Sequence, residues 1–235
     1  MLACPFRVAL SGVILAFMPL ANAIAADAPP PDSAEQMRIE QAVQAYANEL
    51  RADQERAMDA AVVNKATALL RDPATPVLGN PEGDVVVIEF FDYACSFCKA
   101  VEPRLQKLLE DDDGVKLILK EFPILTPESL IAAKVSLASV KQGKYEIFHQ
   151  ALLGARGQLT PSRIFEIADS VGLDVDRLRQ DMDAPEVADQ IIANFNLARS
   201  LKITTTPSFI VDTHMITEPS SQIDFPNTVA AARAK

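Results

Sequence analysis

One stretch constrains this chain more than any other: the apolar run Val85-Val86-Val87-Ile88-Glu89-Phe90-Phe91, followed after three residues by Cys95-Ser96-Phe97-Cys98. The run is β-branched and aromatic, and it comes directly after the turn-forming Asn80-Pro81-Glu82-Gly83, so it reads as a strand buried on both faces. A helix is expected from about Ser96 to Glu110, stopped by Asp111-Asp112-Asp113-Gly114. A second apolar strand is expected over Val115 to Phe122. The result is a β-α-β unit with both cysteines at the strand-to-helix turn.

That position has chemical consequences. A thiolate, and not a thiol, attacks disulfides. Unpaired N–H groups and the macrodipole at a helix N-terminus favour negative charge, so the pKa of Cys95 should fall from roughly 8.5 toward about 3.5 to 7.5. Cys95 should also be accessible. Cys98, one turn into the helix, is better sheltered, and the i, i+3 spacing places both sulfurs on one face. Cys95 is therefore the expected nucleophile, and Cys98 the group that displaces whatever Cys95 captures.

The N-terminus narrows the reading of the cysteines. A lone Arg7, an apolar stretch from Val8 to Leu20 and Ala-x-Ala sites at 21–23 and 23–25 form a secretory signal over residues 1–25. As a membrane anchor the stretch falls short of the roughly 20 apolar residues that a span needs, and it contains Pro19. Cleavage would remove Cys4 and leave only the adjacent pair, whose loop is too short to constrain much of the unfolded chain. Loss of Arg7 takes the net charge from -10 to -11, and no basic face suggests a nucleic-acid partner.

Residues 26–72 read as a Pro29-Pro30-Pro31 linker and one helix from about Ala34 to Arg71, opened by Ser33-Ala34-Glu35-Gln36 as a capping box. Ile39, Val43, Tyr46 and Leu50 are spaced 4, 3 and 4, a short coiled-coil-like stripe. Two uses are open: a homo-oligomerisation stalk over 34–71, or an amphipathic helix folded onto its own domain. Further on, Thr126-Pro127 and Thr160-Pro161 are helix starts within a helical block from about 127 to 182. Pro185 starts another helix. A strand is expected over Ile203 to Val211, a short one at His214-Met215-Ile216, and a closing helix over Val229 to Arg233.

Glu89 is the other candidate for chemistry. A carboxylate in an apolar central strand, six residues before Cys95, is costly to ionise, which suits a group that holds or relays a proton. Its alternative is a strand-end residue reaching solvent. For the cysteines the alternative is a metal half-site, but zinc usually takes four ligands and only the isolated His149 and His214 remain to supply them. No metal and no cofactor are expected.

The run Glu89-Phe90-Phe91-Asp92-Tyr93-Ala94-Cys95-Ser96-Phe97-Cys98-Lys99 resembles the DsbA-like family of periplasmic thiol-disulfide oxidoreductases. Lys120-Glu121-Phe122-Pro123-Ile124-Leu125 and Thr206-Pro207-Ser208-Phe209 follow in that family's order. The Pro-Val-Leu-Gly-Asn-Pro lead-in at 76–81 is similar to its ScsC-like and Com1-like branch. The resemblance covers about residues 73–235. It implies an α/β fold: a thioredoxin fold with a helical insertion, here preceded by the N-terminal helical extension. It also implies a cis Thr206-Pro207 bond beside the cysteines, with substrate pairing to the backbone there. Ser96 departs from the family, replacing the proline common after the first cysteine.

The expected function is thus a periplasmic enzyme exchanging disulfides with exported client proteins, as oxidase or as isomerase or reductase, and reset by a membrane redox partner. The alternative is a non-enzymatic thiol module that binds metal or a client protein.

Overall fold

The computed structural model describes residues 33–70 and 75–234; the signal and linker calls lie outside them. The chain divides into two compact units, one ending at Glu49 and the other spanning Leu50–Lys235. In the first unit, described from Ser33, the chain is helical, and Ile39, Val43 and Tyr46 are exposed.

The second unit is built on a five-stranded mixed sheet in the order β1-β3-β2-β4-β5. Its strands are β1 (Val77–Gly79), β2 (Val85–Phe91), β3 (Val115–Glu121), β4 (Ser208–Val211) and β5 (His214–Met215). β2 runs parallel to β3, and the other pairings are antiparallel. The expected β-α-β unit is present, its crossover being α3 (Ser96–Asp111).

Alternation along β2 and β3 builds two cores from one sheet. Val85, Val87 and Phe91, with Val115, Leu117 and Leu119, join the larger core, which contains both cysteines, α3 and the helical block. Ile88, Phe90 and Ile118 enter a second core on the opposite face, completed by Val62, Leu69, Leu197 and Leu201. This pattern sends Glu89 and Glu121 to the cysteine side. Lys120 goes the other way, where its Nζ donates to Thr75 Oγ1 at 2.8 Å.

The helical block comprises α4 (Pro127–Ser139), a 3-10 turn at Val140–Gln142, α5 (Tyr145–Gly154), α6 (Pro161–Ser170) and α7 (Val175–Asp181). Thr126 and Thr160 cap α4 and α6 as their sequence predicts, each accepting a backbone N–H. α8 (Pro185–Ser200) crosses to the second core, and α9 (Phe225–Arg233) returns to the first.

Several expectations need adjustment. The long helix is α1 (Ser33–Asn64) followed, after Lys65, by α2 (Ala66–Leu70), a break that falls at the weak helix formers Val62, Val63 and Asn64. Its C-terminal part belongs to the domain unit: Val62 and Leu69 are buried, and Asp59 Oδ2 lies 2.6 Å from His214 Nδ1. The strand expected over 203–211 is confined to Ser208–Val211, because Pro207 has no N–H to give a ladder. β1 was not foreseen.

Candidate active site

β2 ends at the turn Asp92-Tyr93-Ala94, and the Cys95 amide closes that turn by donating to the Asp92 carbonyl at 3.0 Å. The buried Asp92 carboxylate fixes the turn. Its Oδ1 accepts from Ala94 N and Ser129 Oγ, both at 2.7 Å, and its Oδ2 from Ile124 N and Leu125 N, both at 2.9 Å. One side chain thus ties the cysteine turn to the start of α4.

Cys95 is the N-cap of α3, and its sulfur accepts the Cys98 N–H at 3.3 Å. Both cysteines are free thiols. Hydrogen bonding from the Cys98 thiol, helped by the Thr206 side chain and the amides of Cys98 and Phe97, outweighs burial and lowers the Cys95 pKa to about 6. Cys98 goes the opposite way: burial, reinforced by its bond to Cys95 and by the Glu89 charge, holds that thiol protonated. The two sulfurs are strongly differentiated. Cys95 is more enclosed than the sequence suggests, at 4% exposure, because the Thr206 segment lies over it and the Thr206 carbonyl accepts from Sγ at 3.2 Å.

The Thr206-Pro207 bond is cis, as the resemblance implied. The Thr206 hydroxyl is buried, and its interaction with the Cys95 sulfur favours the thiolate. Glu89 is fully buried rather than reaching solvent, and neither carboxylate oxygen has a hydrogen-bond partner among the described residues. Burial first, then the charges of Glu102, Cys95 and Glu121, raise its pKa well above the ordinary carboxylate range.

The structure adds a polar cluster that the sequence reading passed over. Glu121 Oε1 accepts from the hydroxyls of Tyr93 at 3.1 Å and Tyr145 at 3.0 Å. The Tyr93 oxygen also lies 2.6 Å from Ser136 Oγ and 2.9 Å from His149 Nδ1, and His149 Nε2 is 3.6 Å from Glu102 Oε2. Burial raises the Glu121 pKa well above its ordinary value despite the tyrosine bonds. The available signal was the one used for Glu89: an acidic residue inside an apolar strand. His149, read as isolated, is a core residue, whereas His214 sits on β5 beside Asp59, so the two occupy separate environments.

A thioredoxin-like sheet, a Cys-x-x-Cys at a helix N-terminus and a cis-proline beside it form the arrangement characteristic of the thiol-disulfide oxidoreductase class. The profile of the DSBA-like thioredoxin domain matches residues 86–228, more than half the chain, and the protein belongs to that family. It is 43% identical to a thioredoxin-like oxidoreductase from Silicibacter pomeroyi, whose crystal structure superposes with a TM-score of 0.68 over 72% of this chain and 98% of that one. The thiol-disulfide exchange protein alpha-DsbA2 from Wolbachia pipientis is 25% identical, with a TM-score of 0.70 over 76% of this chain and 97% of that one. Among curated relatives, the Na(+)/H(+) antiporter NhaA 3 of Salinispora tropica is 29% identical over 138 residues, 58% of this chain. The chain spans about a fifth, 21%, of that antiporter's length. Among the described residues of this protein, no helix is long and apolar enough to cross a membrane.

Proposed function

We propose that the protein exchanges disulfides with thiol-bearing exported proteins in the periplasm, and that Cys95 and Cys98 are its redox pair. A client thiolate attacks the Cys95 sulfur of the Cys95–Cys98 disulfide. That bond breaks, Cys98 leaves and takes up a proton, and a mixed disulfide remains on Cys95. A second client thiolate then displaces Cys95 as a thiolate, so the client gains a disulfide and the protein gains two electrons. Run backward, the same steps reduce or reshuffle a client disulfide.

The observation that carries this reading is the opposed tuning of the two thiols, Cys95 shifted down to about 6 and Cys98 shifted up. A stabilised Cys95 thiolate favours the reduced protein and therefore disulfide donation. In this scheme Glu89, buried and unpartnered, holds or delivers the proton that Cys98 exchanges, and the backbone at Thr206-Pro207 receives the client chain. A membrane oxidant resets the pair. The signal-like residues 1–25 and the DsbA-like fold support export.

The exposed Ile39, Val43, Tyr46 and Leu50 favour a second emphasis. Self-association through residues 34–71 would turn several cysteine pairs toward one client, which suits isomerisation. Three assays run together rank the activities: oxidation of a reduced peptide, refolding of scrambled ribonuclease and reduction of insulin. Turnover in none of them, with Cys95→Ala indistinguishable from the native chain, would leave only a binding module.

A further inference from the structure

A cleft of about 730 Å3 opens beside Cys95, between the cysteine turn and the helical insertion. Its floor includes Ala94 and Ser96, the two chain neighbours of Cys95, and its far wall is residues 153–159, the end of α5 and the loop leading toward α6, of which 156–158 are exposed. The volume falls within the range of ligand-binding sites. Thr206, which touches the sulfur, is not among its walls. A client whose cysteine is bonded to Cys95 must therefore lay flanking residues over Ala94 and Ser96 or over Thr206.

The lining of this cleft runs against the overall charge of the chain. The chain carries a net charge of -10, yet the cleft is lined by Lys99 and Arg156 against the single acidic residue Glu128. Lys99 is half-buried, and its Nζ donates to the Ala155 carbonyl at 2.8 Å, which pins the loop at the residue before Arg156. Neither Lys99 nor Arg156 is paired with a carboxylate among the described residues. Arg156 is exposed, and the turn after it is set by Gly157 at φ 79°. Two cations without carboxylate partners thus line a cleft that opens beside the turn carrying Cys95, in an acidic protein. Glu128 shares their cleft, and no ion pair joins it to either among the described residues.

We infer that the cleft is a specificity subsite for the client segment next to its reacting cysteine, and that Arg156, with Lys99, selects segments carrying aspartate or glutamate there. The inference rests on the thiol-exchange reading above and adds to it a preference that the chain's overall charge opposes. An acidic client is repelled at long range and accepted only at the cleft. Arg156 would act through Coulomb attraction in a largely aqueous setting, so each charge contributes modestly.

The test uses the Cys98→Ala chain with Cys95 loaded as a mixed disulfide with thionitrobenzoate. A peptide thiolate attacks Cys95 and releases the coloured thionitrobenzoate anion, so the rate is read directly. Two peptides of equal length, with the cysteine flanked by Asp in one and Lys in the other, are compared on this chain and on the same chain carrying Arg156→Glu. The ratio of acidic to basic rates should fall about tenfold on charge reversal at low salt, and the difference should collapse in about 0.5 M salt. Glu128→Gln should move the ratio the opposite way, and it decides the matter if Arg156→Glu does not fold. An unchanged ratio in the folded variants overturns the subsite. Absence of thionitrobenzoate release with every peptide would instead overturn the exchange reading itself.

Discussion

The Cys95 thiol donates to the Thr206 carbonyl across 3.2 Å, joining positions 111 residues apart. This bond exists only while the sulfur is protonated. On ionisation the carbonyl dipole becomes repulsive, and the thiolate is held instead by the Cys98 thiol, the Thr206 hydroxyl and the helix amides. The contact sets the dithiol apart from the reactive form.

Alkylation of the reduced protein by iodoacetamide should therefore follow an ionisation near pH 6 at Cys95, with Cys98 unreactive until the chain unfolds. Because the folded pKa of Cys95 is depressed, its contribution to stability is fully present above about 8.5, the ordinary thiol value, and is lost as pH falls through about 6. Thermal melts of the reduced chain against Cys95→Ser over that window measure it. A midpoint above 8 in the alkylation profile would remove the basis for a poised nucleophile.

Glu89→Gln should stabilise the fold, increasingly so as pH rises. With a raised folded pKa, the native carboxyl stays protonated where the unfolded chain ionises, so native stability declines upward from about 4.5 toward the folded value. The amide has no such loss. Melting temperatures should nearly coincide at pH 4 and separate by several degrees at pH 8, while release of the mixed disulfide by Cys98 slows. Equal melting at both pH values would mean that Glu89 ionises freely.

Tyr93→Phe removes one hydroxyl from Glu121, Ser136 and His149 together. Leaving buried polar partners unsatisfied costs about 1–3 kcal/mol. Urea unfolding should show a loss of that size with the Cys95 alkylation profile unmoved, which would separate the support role of the cluster from the chemistry. A shifted profile would instead join the cluster to the thiols.

Ile39→Glu combined with Val43→Glu should reduce the sedimenting mass to that of one chain if the exposed stripe mediates self-association. The substitutions lie outside the Leu50–Lys235 unit, so its melting temperature should not change. Truncation at 72 would be a poorer test, because it strips the buried Val62 and Leu69 from the second core. Identical masses before and after substitution would discard the stalk.

The site was legible where local pattern and chemistry coincide. An apolar strand feeding Cys95-x-x-Cys98 pointed to the proposed redox pair, and an acid within the strand marked the buried Glu89, because both signals lie within a dozen residues. Glu121 carried the same signal, but its significance depends on Tyr93, Tyr145 and Ser136, which tertiary packing gathers from three separate segments. β1 was invisible, since three residues are too few to show a period and their strand character comes from pairing with β3. Asp92 resembled an ordinary turn residue. Only the folded chain reveals how many donors converge on it.

The two rims of the sheet bear on how such a protein survives its work. Anything that handles unfolded polypeptides risks recruiting them as extra strands along its own unpaired backbone, the first step toward co-aggregation. Here the outermost strands are β1, with three residues, and β5, with two. The longer β2 and β3, of seven residues each, lie inside. The stubs at either side offer an incoming chain too short a template to zip onto, so under the proposed exchange reaction contact with a client would stay brief and reversible at the sulfur.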